Sequence, residues 1–190
     1  FIYCFNMALT KTPICDFGKK ASGFKLKSTD NKIISLQDVK GENGTLIMFI
    51  CNHCPYVKAV IKEIVKDCKE LEKIGVKSLA IMSNDTKNYP DDSFENMSSF
   101  AKDYEFNFPY VIDETQEIAK KYGAVCTPDF FGYNKNLELQ YRGRMRELKE
   151  LKPTQKGKSD LLSAMELIAK TEKGPKEQAP SMGCNIKWFK

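Results

Sequence analysis

The chain has 190 residues, of which 42% are hydrophobic and 29% are charged, a composition typical of an ordinary globular domain. The formal net charge of +5 comes from lysines spread along the chain and not from one basic block, which argues against a nucleic-acid partner. No apolar run is long enough to span a bilayer, so we expect no membrane partner.

Seven cysteines, an odd number, are scattered along the sequence without a regular spacing. We therefore do not expect a secreted fold held together by disulfides, and a cytoplasmic location fits this pattern better. Residues 1–7 lack the basic region of a signal peptide and are predicted to be a disordered extension. We expect one domain over residues 8–170 and a polar C-terminal tail, residues 171–190, which carries Cys184 and packs back on the domain.

The first half of the sequence predicts a β-hairpin followed by a strand–helix–strand unit. Strand-like segments flank a polar turn within residues 23–39. Residues 45–50 form a nearly continuous apolar run, which is typical of a strand buried on both faces. After Cys54, apolar residues recur at helical spacing as far as Gly75, and residues 76–82 form a second apolar run. Two strands joined by a helix in this way are parallel strands of one sheet.

The second half alternates helices with shorter strands. Asp92 or Ser93 is predicted to cap a helix, and a second, brief helix ends at Gly123, with a short strand between them. An apolar strand begins after Pro128 and returns in an antiparallel hairpin, and a last helix begins near Ser159. These elements predict an α/β fold with a central mixed sheet flanked by helices and an N-terminal β-hairpin.

Two cysteines, Cys51 and Cys54, lie where the central strand passes into the helix. The first backbone N–H groups of a helix are unpaired and carry partial positive charge, so they stabilise a thiolate. We expect Cys51 to lie at or just before the first helical turn, with an exposed sulfur and a lowered pKa. His53 adds positive charge beside the Cys51 sulfur when it is protonated. The segment Cys51-Asn52-His53-Cys54 therefore predicts a redox-active pair of the thioredoxin type.

The same residues allow other interpretations. Cys51 and Cys54 would be inert if they were buried structural thiols, and His53 would be inert as an exposed side chain of the first helical turn. Cys51, His53 and Cys54 are also soft metal ligands, to which Cys126 would add a fourth. A usual zinc site requires a second ligand pair, and His53 is the only histidine in the sequence.

Three further cysteines call for an interpretation. Cys68 lies on the apolar face of the predicted helix, so we expect it to pack in the core. Cys126 precedes Thr127 and Pro128, and it is either a third redox thiol or a packing residue. Cys184 either folds back to resolve an oxidised active-site cysteine or is a spare surface thiol.

Short segments spread along the chain carry a resemblance to a known family. They are residues 49–57, 83–85, 89–93, 108–110, 122–124, 127–131, 141–144 and 183–188. On these segments and the N-terminal hairpin, the sequence from residue 9 to residue 188 resembles the peroxiredoxin-like group within the alkyl hydroperoxide reductase and thiol-specific antioxidant superfamily. The members of this group are small bacterial proteins with a thioredoxin-like fold.

The resemblance implies a role for several residues. Cys51 takes the position of the thioredoxin nucleophile, and Cys54 takes that of the resolving cysteine, which is also the peroxidatic position of true peroxiredoxins. The bond between Thr127 and Pro128 is implied to be cis, in a loop that binds the substrate backbone. Together with Asn52, these two residues are the predicted substrate-binding residues.

The sequence departs from the active-site motifs of true peroxiredoxins and of thioredoxins. Ile47 and Cys51 stand where true peroxiredoxins carry the proline and threonine of their peroxide-binding motif. Ile50 replaces the tryptophan that precedes the first cysteine of thioredoxins, and residues 45–50 contain no counterpart of the thioredoxin buried acid.

The sequence therefore predicts a thiol–disulfide oxidoreductase that uses Cys51, Cys54 and His53. The Cys51 thiolate attacks a substrate disulfide, and Cys54 then attacks Cys51 to release the reduced substrate. The expected partners are a protein or small-molecule disulfide or dithiol and a cellular thiol reductant, and no cofactor is required. One alternative is a thiol-dependent peroxidase with Cys184 or Cys126 as the resolving thiol, and another is a soft-metal carrier.

Overall fold

A computed structural model of the chain describes residues 8–14 and 16–190. The predicted extension over residues 1–7 lies outside this described part. The strands are β1 (Leu9–Lys11), β2 (Lys25–Ser28), β3 (Ile33–Ser35), β4 (Gly44–Phe49), β5 (Val76–Met82), β6 (Tyr110–Ile112), β7 (Cys126–Thr127), β8 (Asp129–Tyr133), β9 (Leu139–Tyr141), β10 (Leu148–Lys149), β11 (Lys152–Pro153) and β12 (Met182–Asn185). The α-helices are α1 (Pro55–Lys58), α2 (Ile61–Lys73), α3 (Phe94–Asp103), α4 (Glu117–Tyr122) and α5 (Asp160–Thr171), and short 3-10 helices cover Gln37–Val39 and Pro90–Asp92. In the described part of the chain, no helix combines the length and the apolar character needed to cross a membrane.

A seven-stranded mixed sheet forms the centre of the fold, in the order β3-β2-β6-β5-β4-β8-β9. β4 and β6 each run parallel to β5, whereas the other neighbouring strands pair antiparallel. β2 and β3 form the N-terminal hairpin, with Leu26 opposite Ile34. The predicted α/β fold, with its central mixed sheet, flanking helices and N-terminal hairpin, is confirmed.

The central strand β4 explains why the sequence is apolar without interruption before the cysteines. Leu46 and Met48 point into the core that includes α2 and α5, whereas Ile47 and Phe49 point into the core that includes α4. Successive side chains of a strand face opposite sides, so both faces of β4 are buried. The end of β4 therefore delivers the cysteine segment into the interior of the protein.

The single helix predicted after Cys54 is divided into two. α1 begins at Pro55, where the missing N–H costs little, and Val60 leaves the helical region with φ −122° before α2 begins. Gly75 follows α2 with φ +80°, a left-handed conformation that is common directly after a helix and that glycine adopts readily. The buried side of α2 keeps the helical spacing that the sequence indicated.

The C-terminal tail forms a strand next to the cysteines. β12 lies between β1 and β7 in a three-stranded antiparallel sheet. Within this sheet Cys184 pairs with Thr127 on one side and with Leu9 on the other. The tail is thereby placed directly beside the segment that precedes Pro128.

Candidate active site

Cys54, and not Cys51, lies at the start of the helix. Cys54 is the N-cap of α1, and its carbonyl oxygen accepts hydrogen bonds from the N–H groups of Val57 at 3.1 Å and Lys58 at 3.0 Å. Cys51 lies in the turn between β4 and this cap. Cys51 therefore precedes the first helical turn, which is one of its two predicted placements, and the partial positive charge of the helix start is nearest to Cys54.

Both active-site sulfurs are buried. The residue Cys51 is 1% exposed and Cys54 is 0% exposed, so the expectation of an exposed first sulfur is also wrong. The tail covers Cys54, because β12 pairs with β7 and lays Cys184 against it. Both sulfurs are thus closed to solvent in this arrangement.

Three cysteine sulfurs and Thr127 form one cluster. Cys51 Sγ lies 3.4 Å from Thr127 Oγ1, and the Cys54 thiol donates to the Thr127 carbonyl oxygen over 3.3 Å. Cys54 Sγ lies 3.0 Å from Cys184 Sγ. The peptide bond between Thr127 and Pro128 is cis. The structure thus brings the two motif cysteines, Thr127 and Cys184 together.

The surroundings of the thiols shift their pKa values in opposite directions. Hydrogen bonds from Cys184 and Cys51 lower the pKa of Cys54, although burial opposes this shift. Burial raises the pKa of Cys51, and the contact with Cys54 and the negative charge of Asp92 act in the same direction. The lowered pKa expected for Cys51 is therefore found at Cys54 instead, and Cys54 is the thiol that this site stabilises as a thiolate.

A buried carboxylate, Asp92, holds the turn that carries the cysteines. Asp92 is 0% exposed; its Oδ1 accepts from the backbone N–H of Asn52 at 2.8 Å, and its Oδ2 accepts from the side-chain amide of Asn84 at 2.9 Å. His53 Nδ1 forms an ion pair with Asp92 Oδ2 at 2.7 Å, and this contact raises the pKa of His53. The sulfur of Cys51 and the ligand atoms of His53 and Asp92 all lie within 4.8 Å of one another.

Asp92 gives the site a buried acid from outside residues 45–50. It comes from the 3-10 helix Pro90–Asp92, which follows β5. The helix cap, for which Asp92 and Ser93 were the two candidates, is Ser93, whose Oγ accepts from the N–H of Asn96 at 3.2 Å. The position of Asp92 in the sequence could have indicated its role, because its loop follows the carboxyl end of a parallel strand, where α/β sheets place their functional sites.

Asn52 faces the interior of the protein. Its side chain accepts a hydrogen bond from Tyr110 Oη at 2.7 Å and donates one to the Asp91 carbonyl oxygen at 3.2 Å. The residue is only 7% exposed. These bonds fix the turn between the cysteines, and the role of Asn52 in substrate binding stays a prediction.

Cys126 and Cys68 are buried thiols with surroundings of their own. Neighbouring residues of a strand face opposite sides, so Cys126 and Thr127 project to opposite sides of β7, although Cys126 is close enough to Cys54 for an electrostatic interaction. Cys126 is buried, its thiol donates to the Pro128 carbonyl oxygen at 3.6 Å, and burial raises its pKa. Cys68 packs in the core as predicted, and burial raises its pKa to about 12.

The four residues considered as ligands of a soft metal do not lie together as one site. Cys126 projects to the side of β7 opposite Thr127. The cluster forms instead among Cys51, His53 and Asp92. Asp92 already accepts two hydrogen bonds from protein donors and pairs with His53. These protein contacts explain why the three residues lie together.

A cavity of about 280 Å³ is lined in part by Pro128. Tyr56 and Met182 contribute apolar surface to it, and Lys11 and Arg146 contribute basic groups. The cavity therefore provides a mixed apolar and basic surface next to both β12 and the segment that carries Thr127.

The fold and the paired cysteines together define a redox protein with a thioredoxin-like fold. The chain belongs to the AhpC/TSA family, which matches residues 17–147. This result confirms the resemblance stated from the sequence.

Known relatives and structures agree with this class. The chain is 31% identical over 130 residues to the thiol-disulfide oxidoreductase ResA of Bacillus thuringiensis subsp. konkukian, covering 67% of this chain and 69% of that protein. The crystal structure of an uncharacterized conserved protein from Geobacillus kaustophilus matches with a TM-score of 0.92 and 39% identity, covering 97% of this chain and 98% of the other. The thioredoxin domain of the thiol-disulfide oxidoreductase BVU-2223 from Bacteroides vulgatus matches in fold, with a TM-score of 0.57 and 15% identity over 68% of this chain and 91% of the other.

Proposed function

We propose that the chain is a thiol–disulfide oxidoreductase whose redox centre is the Cys51–Cys54 pair. The observation that carries this proposal is the contact of both sulfurs with Thr127, beside the N-cap position of Cys54. The relationship to ResA supports the same reaction class. The substrates of this chain are protein or small-molecule disulfides or dithiols, and a cellular thiol returns it to the reduced state in a cytoplasmic setting.

We infer an order of attack that differs from the order predicted from the sequence, because the helix start and the hydrogen bonds of the site favour a thiolate at Cys54. The Cys54 thiolate attacks the substrate disulfide, a Cys54–substrate bond forms, and the first substrate thiolate leaves. Cys51 then attacks Cys54 Sγ, so the Cys51–Cys54 bond forms and the second substrate thiolate leaves. One substrate disulfide is reduced and one enzyme disulfide is formed, and a thiol reductant reverses the sequence.

The His53–Asp92 pair handles the proton of the second step. Cys51 must lose its proton to attack, yet burial raises its pKa. The carboxylate of Asp92 and the imidazole of His53 are its acid–base neighbours, within 4.8 Å. We infer that this pair accepts the Cys51 proton and passes it towards the substrate thiolate that leaves.

The test measures the reduction of a small aromatic disulfide by glutathione with catalytic amounts of protein. Because Cys184 lies 3.0 Å from Cys54 and would interfere, the variants are made in a Cys184→Ser background. We expect Cys54→Ser to reduce the rate to that of glutathione alone, and Cys51→Ser to accumulate a substrate adduct on Cys54. A Cys54→Ser protein that keeps its turnover, or an adduct found on Cys51, would contradict this assignment.

The peroxidase alternative has one observation in its favour, namely that Cys184 lies at resolving distance from Cys54. Against it, Ile47 fills a core position on β4 where the peroxide-binding motif needs proline. Peroxide consumption no faster than that of a free thiol would exclude it. A zinc or copper affinity no higher than that of an unstructured dithiol would exclude the soft-metal carrier.

A further inference from the structure

The C-terminal strand β12 occupies the edge of β7, which the family resemblance assigns to a substrate backbone. The pairing is antiparallel and places Cys184 opposite Thr127. The strand is held at both ends. Before the strand, Ser181 Oγ donates a hydrogen bond to the Pro128 carbonyl oxygen at 2.7 Å. After the strand, the Lys187 carbonyl oxygen accepts from the N–H of Asp85 at 2.8 Å, and the Lys187 N–H donates to Asn84 Oδ1 at 2.9 Å, both in the loop that follows β5. The protein's own chain therefore fills the place of a bound peptide.

The sulfur of this internal peptide faces the thiol that the site stabilises as a thiolate. Cys184 Sγ lies 3.0 Å from Cys54 Sγ, and Cys184 itself is 3% exposed. A polypeptide substrate bound along the same edge of β7 in the same register would present its sulfur to Cys54 at this point. Strand register, sulfur distance and burial agree on this placement.

We propose that Cys184 is a third redox-active thiol, which β12 presents to Cys54 in place of a substrate sulfur. This inference rests on the proposed function, since it requires disulfide exchange at Cys51 and Cys54. It extends that function in two ways. The tail becomes an internal exchange partner, and a polypeptide substrate binds as an extended segment that displaces β12 from β7.

The exchange step is an isomerisation of one disulfide. In the oxidised protein the Cys184 thiolate attacks Cys54 Sγ, the Cys54–Cys184 bond forms, and the Cys51–Cys54 bond breaks. Cys51 leaves as a thiolate and takes up the proton that Cys184 released, so no external oxidant or reductant is consumed. In the reduced protein, the hydrogen bond between Cys54 and Cys184 raises the pKa of Cys184, and this hydrogen bond is lost once Cys54 is oxidised.

Gly183 allows β12 to approach β7 closely. A Cβ atom at this position would lie 2.0 Å from the Thr127 carbonyl oxygen, far inside van der Waals contact. Gly183→Ala therefore forces the tail strand away from β7 without changing any sulfur. Gly23→Ala is the matched control, because a Cβ atom there meets nothing within 4 Å.

The experiment equilibrates the 190-residue chain in buffers of reduced and oxidised glutathione, traps thiols with acid and alkylation, and maps disulfides by peptide mass. In Cys51→Ser, and in a parallel Cys51→Ala variant, we expect oxidised glutathione to drive formation of a Cys54–Cys184 bond. Adding Gly183→Ala should lower the equilibrium constant of this bond by about tenfold or more, the factor that corresponds to ~1.4 kcal/mol. Adding Gly23→Ala, or Cys68→Ala as a cysteine control, should leave it unchanged.

Several results would overturn the proposal. They are separate glutathione adducts on Cys54 and Cys184 in the most oxidising buffer, a Cys54–Cys126 bond, and a Cys54–Cys184 bond that is insensitive to Gly183→Ala. The wild-type chain in the same buffers separates this proposal from the proposed function. If it forms a reversible Cys51–Cys54 bond while the variants form no Cys54–Cys184 bond, only the present inference fails. If neither bond forms in any protein, the proposed function fails as well.

Discussion

At the scale of single residues, the roles of the two active-site cysteines depend on where the helix begins. Periodicity located the helix but not its first residue, because the segment between β4 and α1 carries no repeating apolar pattern. Pro55 was the better indicator, since proline favours the first helical position and thereby makes Cys54 the cap. The cover that Cys184 gives to Cys54 could not be predicted in this way, because it depends on a strand more than a hundred residues away in the sequence.

The contact between His53 and Asp92 leads to a prediction that one NMR resonance, that of the His53 imidazole, can test. Contact with Asp92 raises the pKa of His53 from its ordinary 6.5, and the charges of Cys54 and Lys187 act in opposite directions on it. We expect a titration midpoint of the His53 imidazole above 6.5 by NMR, and a downward shift in Asp92→Asn. Because the folded pKa is raised, the contribution of this pair to stability is complete below 6.5 and is lost as pH rises through the folded value.

The control for this titration is Asp91→Asn, because Asp91 is the exposed neighbour of Asp92. His53 is the only histidine in the chain, so its signal needs no assignment by comparison. A wild-type midpoint at or below the ordinary value, or equal shifts in the two variants, would refute the assigned role of Asp92.

At the scale of elements, the long strands and helices could be predicted because each repeats one period over many residues. β5 has the predicted bounds, and α5 begins beside its predicted cap, Ser159. β1 and β12 have three and four residues, too few for a period to stand out. Their strand conformation comes from pairing with each other and with β7, which no local pattern encodes.

An ion pair between β8 and the end of β9 makes a stability prediction at this scale. Arg142 donates to both carboxylate oxygens of Asp129, at 3.0 and 2.9 Å, and their side chains are 3% and 0% exposed. Removal of one partner leaves a buried charge unpaired, so we expect Arg142→Met to cost ~3–5 kcal/mol in urea unfolding.

Arg144→Met is the matched control for this measurement. Arg144 pairs with Asp160 at 2.7 Å, but the two side chains are 30% and 48% exposed. Solvent screens such a pair, so the expected cost is about 0–1 kcal/mol. Equal losses in the two variants would show that burial does not distinguish the two ion pairs.

At the scale of the whole molecule, the candidate site is assembled from segments far apart in the sequence. Cys51 follows β4, Asp92 follows β5, Thr127 ends β7 and Cys184 lies in β12. The sequence predicted the motif cysteines and Thr127, because each adjoins an element with a clear pattern or a family motif. Asp92 and the placement of Cys184 depend on tertiary contacts, and for this reason sequence reasoning missed the first and left the second open.

The central claim is that Cys51 and Cys54 exchange a disulfide, and the most direct measurement is a glutathione redox titration of the Cys184→Ser chain with disulfides mapped by mass. This variant lacks the Cys184 thiol, which could otherwise form a disulfide with Cys54. We predict one reversible two-electron transition, with a Cys51–Cys54 bond in the oxidised state and two free thiols in the reduced state. Thiols that stay reduced in every buffer, or that collect glutathione independently without bonding to each other, would contradict the account.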